Sequence, residues 1–271
     1  MTILVTGATG LVGERLLPRL IQAGADCRAL VRPGKRVPYG VTTIEGDILD
    51  PASLVQAVDG VSAIVHLAAV FRTQDTDLIW KSNLEGTRNL IGAAVAQAPQ
   101  ARFIMASTAH VYDKSNPHPG RETDVVEPQL AYPASKVAAE KELRESGLNA
   151  SILRLPFVYG DGDGHLELLP RHLSSFAFHP AQRMSTIHHR DVATAVNLAL
   201  VGTFDGRIVN ISDEAPTTIY ELVRLVGETM HSSSEPVSNP WHLHIDASLS
   251  RTLGFHPAVR TVHQAVQEGL L

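Results

Sequence analysis

Thr6-Gly7-Ala8-Thr9-Gly10-Leu11-Val12-Gly13 decides the reading of this chain, because it follows the apolar run Ile3-Leu4-Val5 and opens a helical stretch from Leu11 to about Ala23. A buried strand, a glycine-rich turn and a helix, in that order, form the opening of a dinucleotide-binding unit. Gly7 permits the tight turn out of the strand, Gly10 lets the backbone approach a pyrophosphate, and Gly13 lets the helix pack on the sheet. The anion then rests at the helix N-terminus, where free N–H groups and the macrodipole favour negative charge. Thr9, Leu11 and Val12 lie in the same turn and belong to the predicted cofactor contact.

Outward from this turn, short β-branched runs alternate with helical segments. The runs CRALV, VTTIE, AIVHLAA, RFIMAS, NASILRL and RIVNI read as strands, and Pro51 to Val58, Thr76 to Gln97 and Tyr132 to Glu145 as helices. Asp50-Pro51 has the form of an N-cap followed by proline at the first helical position. This alternation predicts an α/β fold, a doubly wound parallel sheet of Rossmann type. After Leu155 the prolines at 156, 170, 180, 216, 236, 240 and 257 break the pattern into shorter pieces. We therefore expect a dinucleotide-binding domain over 1–155, rejoined by 186–211, and a smaller, discontinuous substrate lobe from 156–185 and 212–271.

Composition narrows the function classes. A chain of 271 residues with 44% hydrophobic content can bury one large core and a small lobe. The single Cys27 excludes an intramolecular disulfide, reads as a small buried apolar residue and fits a reducing compartment. No stretch has the form of a secretory leader or approaches the ~20 apolar residues that span a bilayer, so the expectation is a cytoplasmic protein. The net charge of −5, without a long single-sign run, gives no footprint for nucleic acid or an anionic membrane. A small-molecule substrate is the expected partner. The adjacent His188 and His189, and the pair His242 and His244, lack further ligands at a recognisable metal spacing, so no metal site is predicted.

A second constellation carries the chemistry. Tyr132 and Lys136 stand at i and i+4 near the start of a helix, so both can reach one bound group. Alone, such a pair is an ordinary exposed one. Here the strand Arg102-Phe103-Ile104-Met105-Ala106 delivers Ser107 and Thr108 to its C-terminal end, where ligands bind in open α/β sheets. A hydroxyl there can hold a substrate oxygen while the tyrosine exchanges a proton with it. Free tyrosine has a pKa of ~10, so it needs a nearby positive charge to ionise near neutrality, and Lys136 or an oxidised nicotinamide can supply one.

These residues resemble the extended short-chain dehydrogenases/reductases, in their NAD-dependent epimerase/dehydratase branch. The likeness runs through TGATGLVG at 6–13, Asp47-Ile48, His66-Leu67-Ala68-Ala69, Asn83-Leu84-Glu85-Gly86-Thr87, Ser107-Thr108 with Val111-Tyr112, Tyr132 with Lys136, and Arg154 through Pro156 to Val158-Tyr159-Gly160. It implies that Asp47 and Ile48 flank the adenine and that Leu67, Ala68 and Ala69 line the cofactor. It makes Thr108 the catalytic hydroxyl, with Ser107 as the adjacent alternative, Tyr132 the acid/base, and Lys136 the residue that binds the nicotinamide ribose and lowers the tyrosine pKa. Asn83 would brace a helix near the site, and Pro156 and Val158 would pass beside the nicotinamide. The family also implies a homodimer, formed by packing the helices of 76–97 and 132–145 into a four-helix bundle.

Cofactor preference is read at the end of the second strand, where an acid selects NAD and a cation the 2′-phosphate of NADP. Arg32 stands there, followed by Lys35 and Arg36, and the guanidinium fork suits phosphate. NADP is the expected cofactor, ahead of NAD. Two departures from the family pattern bear on substrate. Thr108 is followed by Ala109-His110 rather than the Asp-Glu pair of dehydratases, and Met184-Ser185-Thr186, with Arg183 displaced, precedes Ile187-His188 where nucleotide-sugar epimerases carry Arg-Asp-Tyr/Phe. The stretch from Pro170 to Arg183 is also short for wrapping a diphosphate, although Arg171 or Arg183 could meet an anionic group. The expected activity is NADPH-dependent reduction of a ketone or aldehyde, in the manner of dihydroflavonol reductases. The alternatives are a nucleotide-sugar epimerase and, in another class, a non-catalytic NAD(P)-binding regulator, against which the intact Tyr132 and Lys136 argue.

Overall fold

Strand β1 (Thr2–Thr6) lies inside the sheet, with Ile3, Leu4 and Val5 fully buried. An uninterrupted apolar run suits a strand covered on both faces, and helices cover both here. The computed structural model describes residues 1–173 and 178–271. From β1 the chain passes through α1 (Gly13–Gln22), β2 (Asp26–Val31), β3 (Thr42–Glu45), α2 (Pro51–Val58) and β4 (Ala63–His66). Next come α3 (Thr76–Trp80), a π-helical turn (Lys81–Glu85), α4 (Gly86–Gln97), β5 (Arg102–Thr108), α5 (Ala131–Glu145) and β6 (Asn149–Leu155). After the short β7 (Phe157–Tyr159), α6 (Leu169–Leu173), β8 (Arg183–Met184) and β9 (Thr186–His188), α7 (His189–Leu200) leads to β10 (Arg207–Asn210). The remainder holds β11 (Thr217–Thr218), α8 (Ile219–Leu225), α9 (Ser248–Thr252) and α10 (Val262–Gln267).

Seven parallel strands make one sheet in the order β10-β6-β5-β4-β1-β2-β3, the predicted doubly wound α/β fold. The strand order reverses between β1 and β4, which places the ligand crevice of such sheets at their carboxyl ends. RIVNI does return to the main sheet, where Ile208 pairs with Ile152. The alternation of side chains sorts the core into two layers. Ile3 and Val5 pack with Leu16, Leu17, Leu20 and Val196 from α1 and α7, whereas Leu4 packs with Leu54, Leu90 and Leu143 from α2, α4 and α5. A third cluster, built on Tyr159, Leu166, Met184, Leu222 and Val262, sits under two small sheets that pair β7 with β9 and β8 with β11. The stretch from Pro170 to Arg183 includes 174–177, which lie outside the described residues.

Local sequence explains the helix ends. Asp50 accepts a hydrogen bond from the N–H of Ala52, with Pro51 at the first position of α2, as an N-cap requires. The predicted helix over 76–97 is continuous but not uniformly α-helical. Its middle turn widens to a π-helix, a local change frequent at functional sites. Two smaller differences concern α1, which begins at Gly13 rather than Leu11, and Asp26, which is the first residue of β2 and binds the hydroxyl of Thr2 at 2.7 Å. No helix of the described residues is long and apolar enough to cross a membrane.

Candidate active site

The turn after β1 is built so that no side chain could replace Gly7 or Gly13 without a shift of the backbone. Gly7 has φ +69°, and a Cβ on it would stand 2.6 Å from the backbone nitrogen of Ala68. A Cβ on Gly13 would stand 2.3 Å from the carbonyl oxygen of Gly7. The N–H of Gly10 closes the turn on that same oxygen at 3.0 Å. Val12 caps α1 without a side-chain hydrogen bond; the N–H groups of Glu14 and Arg15 already bond the carbonyls of Gly10 and Val12, so an anion here would meet the N–H groups that precede them. These features fit the pyrophosphate of a dinucleotide. Thr9, Leu11 and Val12 are half-buried around the turn, and Gly10 is exposed.

The adjoining strand ends carry the other predicted contacts. Thr6 pairs in register with Leu30, so Arg32 stands two residues beyond, level with the glycine turn. Its side chain is exposed and makes no hydrogen bond or ion pair with the described residues. Asp47 is half-buried; one carboxylate oxygen accepts from the N–H of Leu49 at 2.9 Å, which fixes the turn after β3. Ile48 lies against Gly86, where an added Cβ would come within 2.6 Å of it. Leu67 donates its N–H to Thr6 at 3.1 Å, Ala68 crowds Gly7, and Ala69 is exposed. Pro156 is half-buried, and Val158 is buried in β7 opposite Ile187.

His66, to which the sequence assigned no role, ties the base of the site together. The Thr87 hydroxyl donates to the carbonyl of Asn83 at 2.6 Å, so it must accept from Nε2–H of His66 at 2.8 Å. Nδ1 of His66 then accepts from the hydroxyl of Thr6 at 2.7 Å, and the chain ends where Ala68 N–H donates to Thr6 Oγ1 at 3.4 Å. Burial first, and the charge of Lys136 second, push His66 down to about 3, so it stays neutral. Asn83, from the π-helical turn, holds the loop after β4 by both its amide groups, accepting from Val70 N–H at 2.8 Å and donating to Val70 carbonyl at 2.9 Å. It also donates to the hydroxyl of Ser135 at 3.1 Å, and Ser135 donates to the carbonyl of Tyr132 at 2.8 Å. Asn83 thus links the loop after β4, through Ser135, to the first turn of α5.

The Thr108 and Tyr132 side chains lie close enough to interact, and the Thr108 hydroxyl accepts from the N–H of His110 at 3.2 Å. Burial pushes the phenol up to about 12 and the contact with Thr108 opposes it; Lys136 is not among the groups that shift it. Tyr132 holds its proton at neutral pH. Lys136 is 2% exposed; burial pulls its ammonium down to about 8, and Glu140 acts in the opposite direction. Ser107 points to the other face of the strand, and its hydroxyl donates to Glu140. Phe71 lies 5.5 Å from the Tyr132 ring, with the guanidinium of Arg72 above Phe71 and in contact with His165 across the cleft. Next along the chain from Thr108, a cavity of about 20 Å³ has both polar walls, His110 and Ser185, and apolar ones, among them Phe157, Met184 and Leu243. A wider, shallow recess of about 520 Å³ around Val61, Pro99 and Arg102 lies at the opposite end of the sheet and holds none of these groups.

Among the described residues no group of three or more His, Cys, Asp or Glu side chains could hold a metal ion. His188 ends β9, donates from Nε2–H to the carbonyl of Leu270 at 2.9 Å and accepts at Nδ1 from the N–H of Arg190 at 3.1 Å, while His189 pairs with Asp163 at 2.8 Å.

Residues 3–212 match the model of the NAD dependent epimerase/dehydratase family, and the chain belongs to that family, an enzyme class of oxidoreductases and epimerases with the extended short-chain dehydrogenase/reductase fold. It is 30% identical over 198 residues to the ceramide reductase of Caulobacter vibrioides, matching 70% of this chain and 57% of that protein, so the likeness spans little more than half the relative's length. It is 27% identical over 282 residues to the 4-hydroxy-2-methyl-3-oxo-4-farnesyl-3,4-dihydroquinoline-1-oxide ketoreductase of Stigmatella aurantiaca, matching 93% of this chain and 82% of that protein. Among solved structures, MoeE5 in complex with UDP-glucuronic acid and NAD superimposes with a TM-score of 0.81 at 25% identity, covering 97% of this chain and 95% of that one.

Proposed function

We propose that the protein is an NADPH-using reductase of a ketone or aldehyde. The observation that carries this reading is the gathering of Thr108, Tyr132 and buried Lys136 at the carboxyl edge of a sheet whose first turn fits a pyrophosphate. When bound, the reduced nicotinamide supplies the hydride that adds to the carbonyl carbon. Tyr132 donates its proton to the carbonyl oxygen in the same event, Thr108 orients that oxygen, and Lys136 binds the nicotinamide ribose. A phenol that keeps its proton at neutral pH suits the donor role. In the reverse direction the ionised tyrosine is the base.

The exposed, unpaired Arg32 supports NADP over NAD. Ala109 and His110 in place of an acidic pair argue against dehydration. The ceramide and farnesyl-quinoline named for the two relatives support a carbonyl on an apolar body. A nucleotide-sugar epimerase is the second reading, favoured by the likeness to MoeE5 with its UDP-sugar. On either reading 156–185 and 212–271 form the substrate lobe, and a cytoplasmic homodimer built on α3 to α5 is the form in which we expect the enzyme to work.

Consumption of NADPH over a panel of apolar ketones and aldehydes, with UDP-sugars in parallel, separates the readings. Tyr132→Phe removes only the hydroxyl, so it should leave cofactor binding near wild type and cut turnover by roughly 100-fold or more. Cofactor binding with no turnover on any substrate would favour the regulator. Near-wild-type turnover by Tyr132→Phe in its chemical step would remove Tyr132 as proton donor.

A further inference from the structure

Tyr132, Lys136 and Glu140 follow one another at four-residue spacing on α5 and so form a single stripe along the helix. The first two take part in the proposed reaction; the third is a carboxylate, 3% exposed, that no step of it uses. Both its oxygens are taken. Arg154 of β6, 2% exposed, donates from Nε to one oxygen at 3.1 Å and from Nη2 to the other at 2.7 Å, and the hydroxyl of Ser107 shares the first. Arg154 is held in turn by Tyr112, whose hydroxyl it reaches at 3.1 Å and which donates to Asn210 at 2.6 Å. A buried ion pair is a weak source of stability compared with apolar residues of the same volume, so its place next to the reactive lysine calls for another account.

We propose that Glu140 is a positioning residue, clamped by Arg154 and Ser107 so that it keeps the positive charge on Lys136 without capturing the ammonium, and ties β5 to α5 so that Thr108 meets Tyr132. The proposal rests on the reductase reading for the roles of those three residues. A free glutamate at i+4 would pair directly with Lys136 and draw it from the ribose; a bidentate guanidinium prevents that while leaving the carboxylate one turn away. Ser107 directly precedes Thr108 on β5, so the same carboxylate fixes the strand end that carries the reactive hydroxyl. The groups facing Lys136 are few. Tyr132 and Glu140 stand on its own helix, and neutral His66 faces it from β4, while Arg154 and Tyr112 lie behind Glu140. Burial pulls the ammonium down and Glu140 is the group that raises it, so removing the carboxylate must make Lys136 easier to deprotonate.

The test is the pH titration of the Lys136 ε-carbon by ¹³C NMR in the cofactor-free protein, assigned with Lys136→Met against the other lysines Lys35, Lys81, Lys114 and Lys141. Wild type should titrate near about 8. Glu140→Gln keeps the shape and removes the charge, and its midpoint should fall by about one pH unit or more, with Glu140→Asp returning most of the difference. The alkaline limb of kcat/KM should move with it, whereas a purely structural role would lower turnover at every pH without moving the limb. If Glu140→Gln does not fold, because Arg154 is left unpaired, Glu140→Gln with Arg154→Met removes both charges and should still lower the midpoint. An unmoved Lys136 midpoint in either folded variant overturns the proposal. The NMR readout needs neither substrate nor cofactor, so a wild type without carbonyl turnover would overturn the reductase reading alone.

Discussion

Lowering the pH from 7 to 5 should weaken the fold by about 2 kcal/mol through His66 alone. The imidazole is fully buried and pushed down to about 3 in the native state, against about 6.5 in the unfolded chain. Its native pKa lies below the unfolded one, so the unfolded state binds more protons as the pH falls. The stabilisation is therefore complete above about 6.5 and is lost toward 3, at about 1.4 kcal/mol per pH unit. The hydrogen-bond chain supplies the reason: Nδ1 must accept from Thr6 because Nε2–H is committed to Thr87, and a protonated ring would place two donors against one another. The assay is urea unfolding at both pH values for wild type and His66→Gln, which keeps one donor and one acceptor and cannot titrate. His188, His242 and His244 are also held below their ordinary value, so the readout is the difference between the two proteins. An equal loss of stability in both would refute the assignment of His66 as the buried neutral base.

The remaining predictions concern the cofactor and assembly. Gly13→Ala places a methyl 2.3 Å from the Gly7 carbonyl, so the turn must shift; we expect at least about a tenfold loss of dinucleotide affinity by fluorescence titration and about 1–3 kcal/mol of stability by denaturation. Arg32→Asp should weaken NADP by about tenfold or more and NAD far less, since charge-assisted contacts contribute roughly 1.5–3 kcal/mol; equal wild-type affinities, unchanged in the variant, would rule out Arg32 as the selector. Sedimentation at micromolar concentration should show a dimer, and a species of only 29.2 kDa would count against packing through α3 to α5.

Much of the fold was legible because parallel sheets advertise themselves. The apolar runs, the glycine turn and the Asp50-Pro51 cap each reflect a local constraint that tertiary contacts reinforce. The π-helical turn was not legible. Nothing in Lys81 to Glu85 differs in period from the flanking helix, and the wider turn is visible only once Asn83 is seen bonded to Val70 and Ser135, far along the chain. His66 escaped for a related reason. A lone histidine at the end of an apolar strand carries no signal until its two partners, Thr6 and Thr87, are brought together by folding.

The pair Ser107 and Thr108 shows how far register alone can carry a site assignment. Sequence offers two adjacent hydroxyls at the end of β5, and a one-residue error exchanges them. In a strand, neighbours face opposite sides, so only one can look toward Tyr132. The structure turns Thr108 to Tyr132 and Ser107 to Glu140, and this distinction follows from long-range packing, since Arg154 fixes Glu140 behind the strand. The signal that could have separated them was present in α5. Glu140 continues the spacing of Tyr132 and Lys136 by one more turn, and a carboxylate on that stripe needs a buried donor from the strand it covers. Ser107 is the hydroxyl that meets this need, which leaves Thr108 as the one that faces Tyr132.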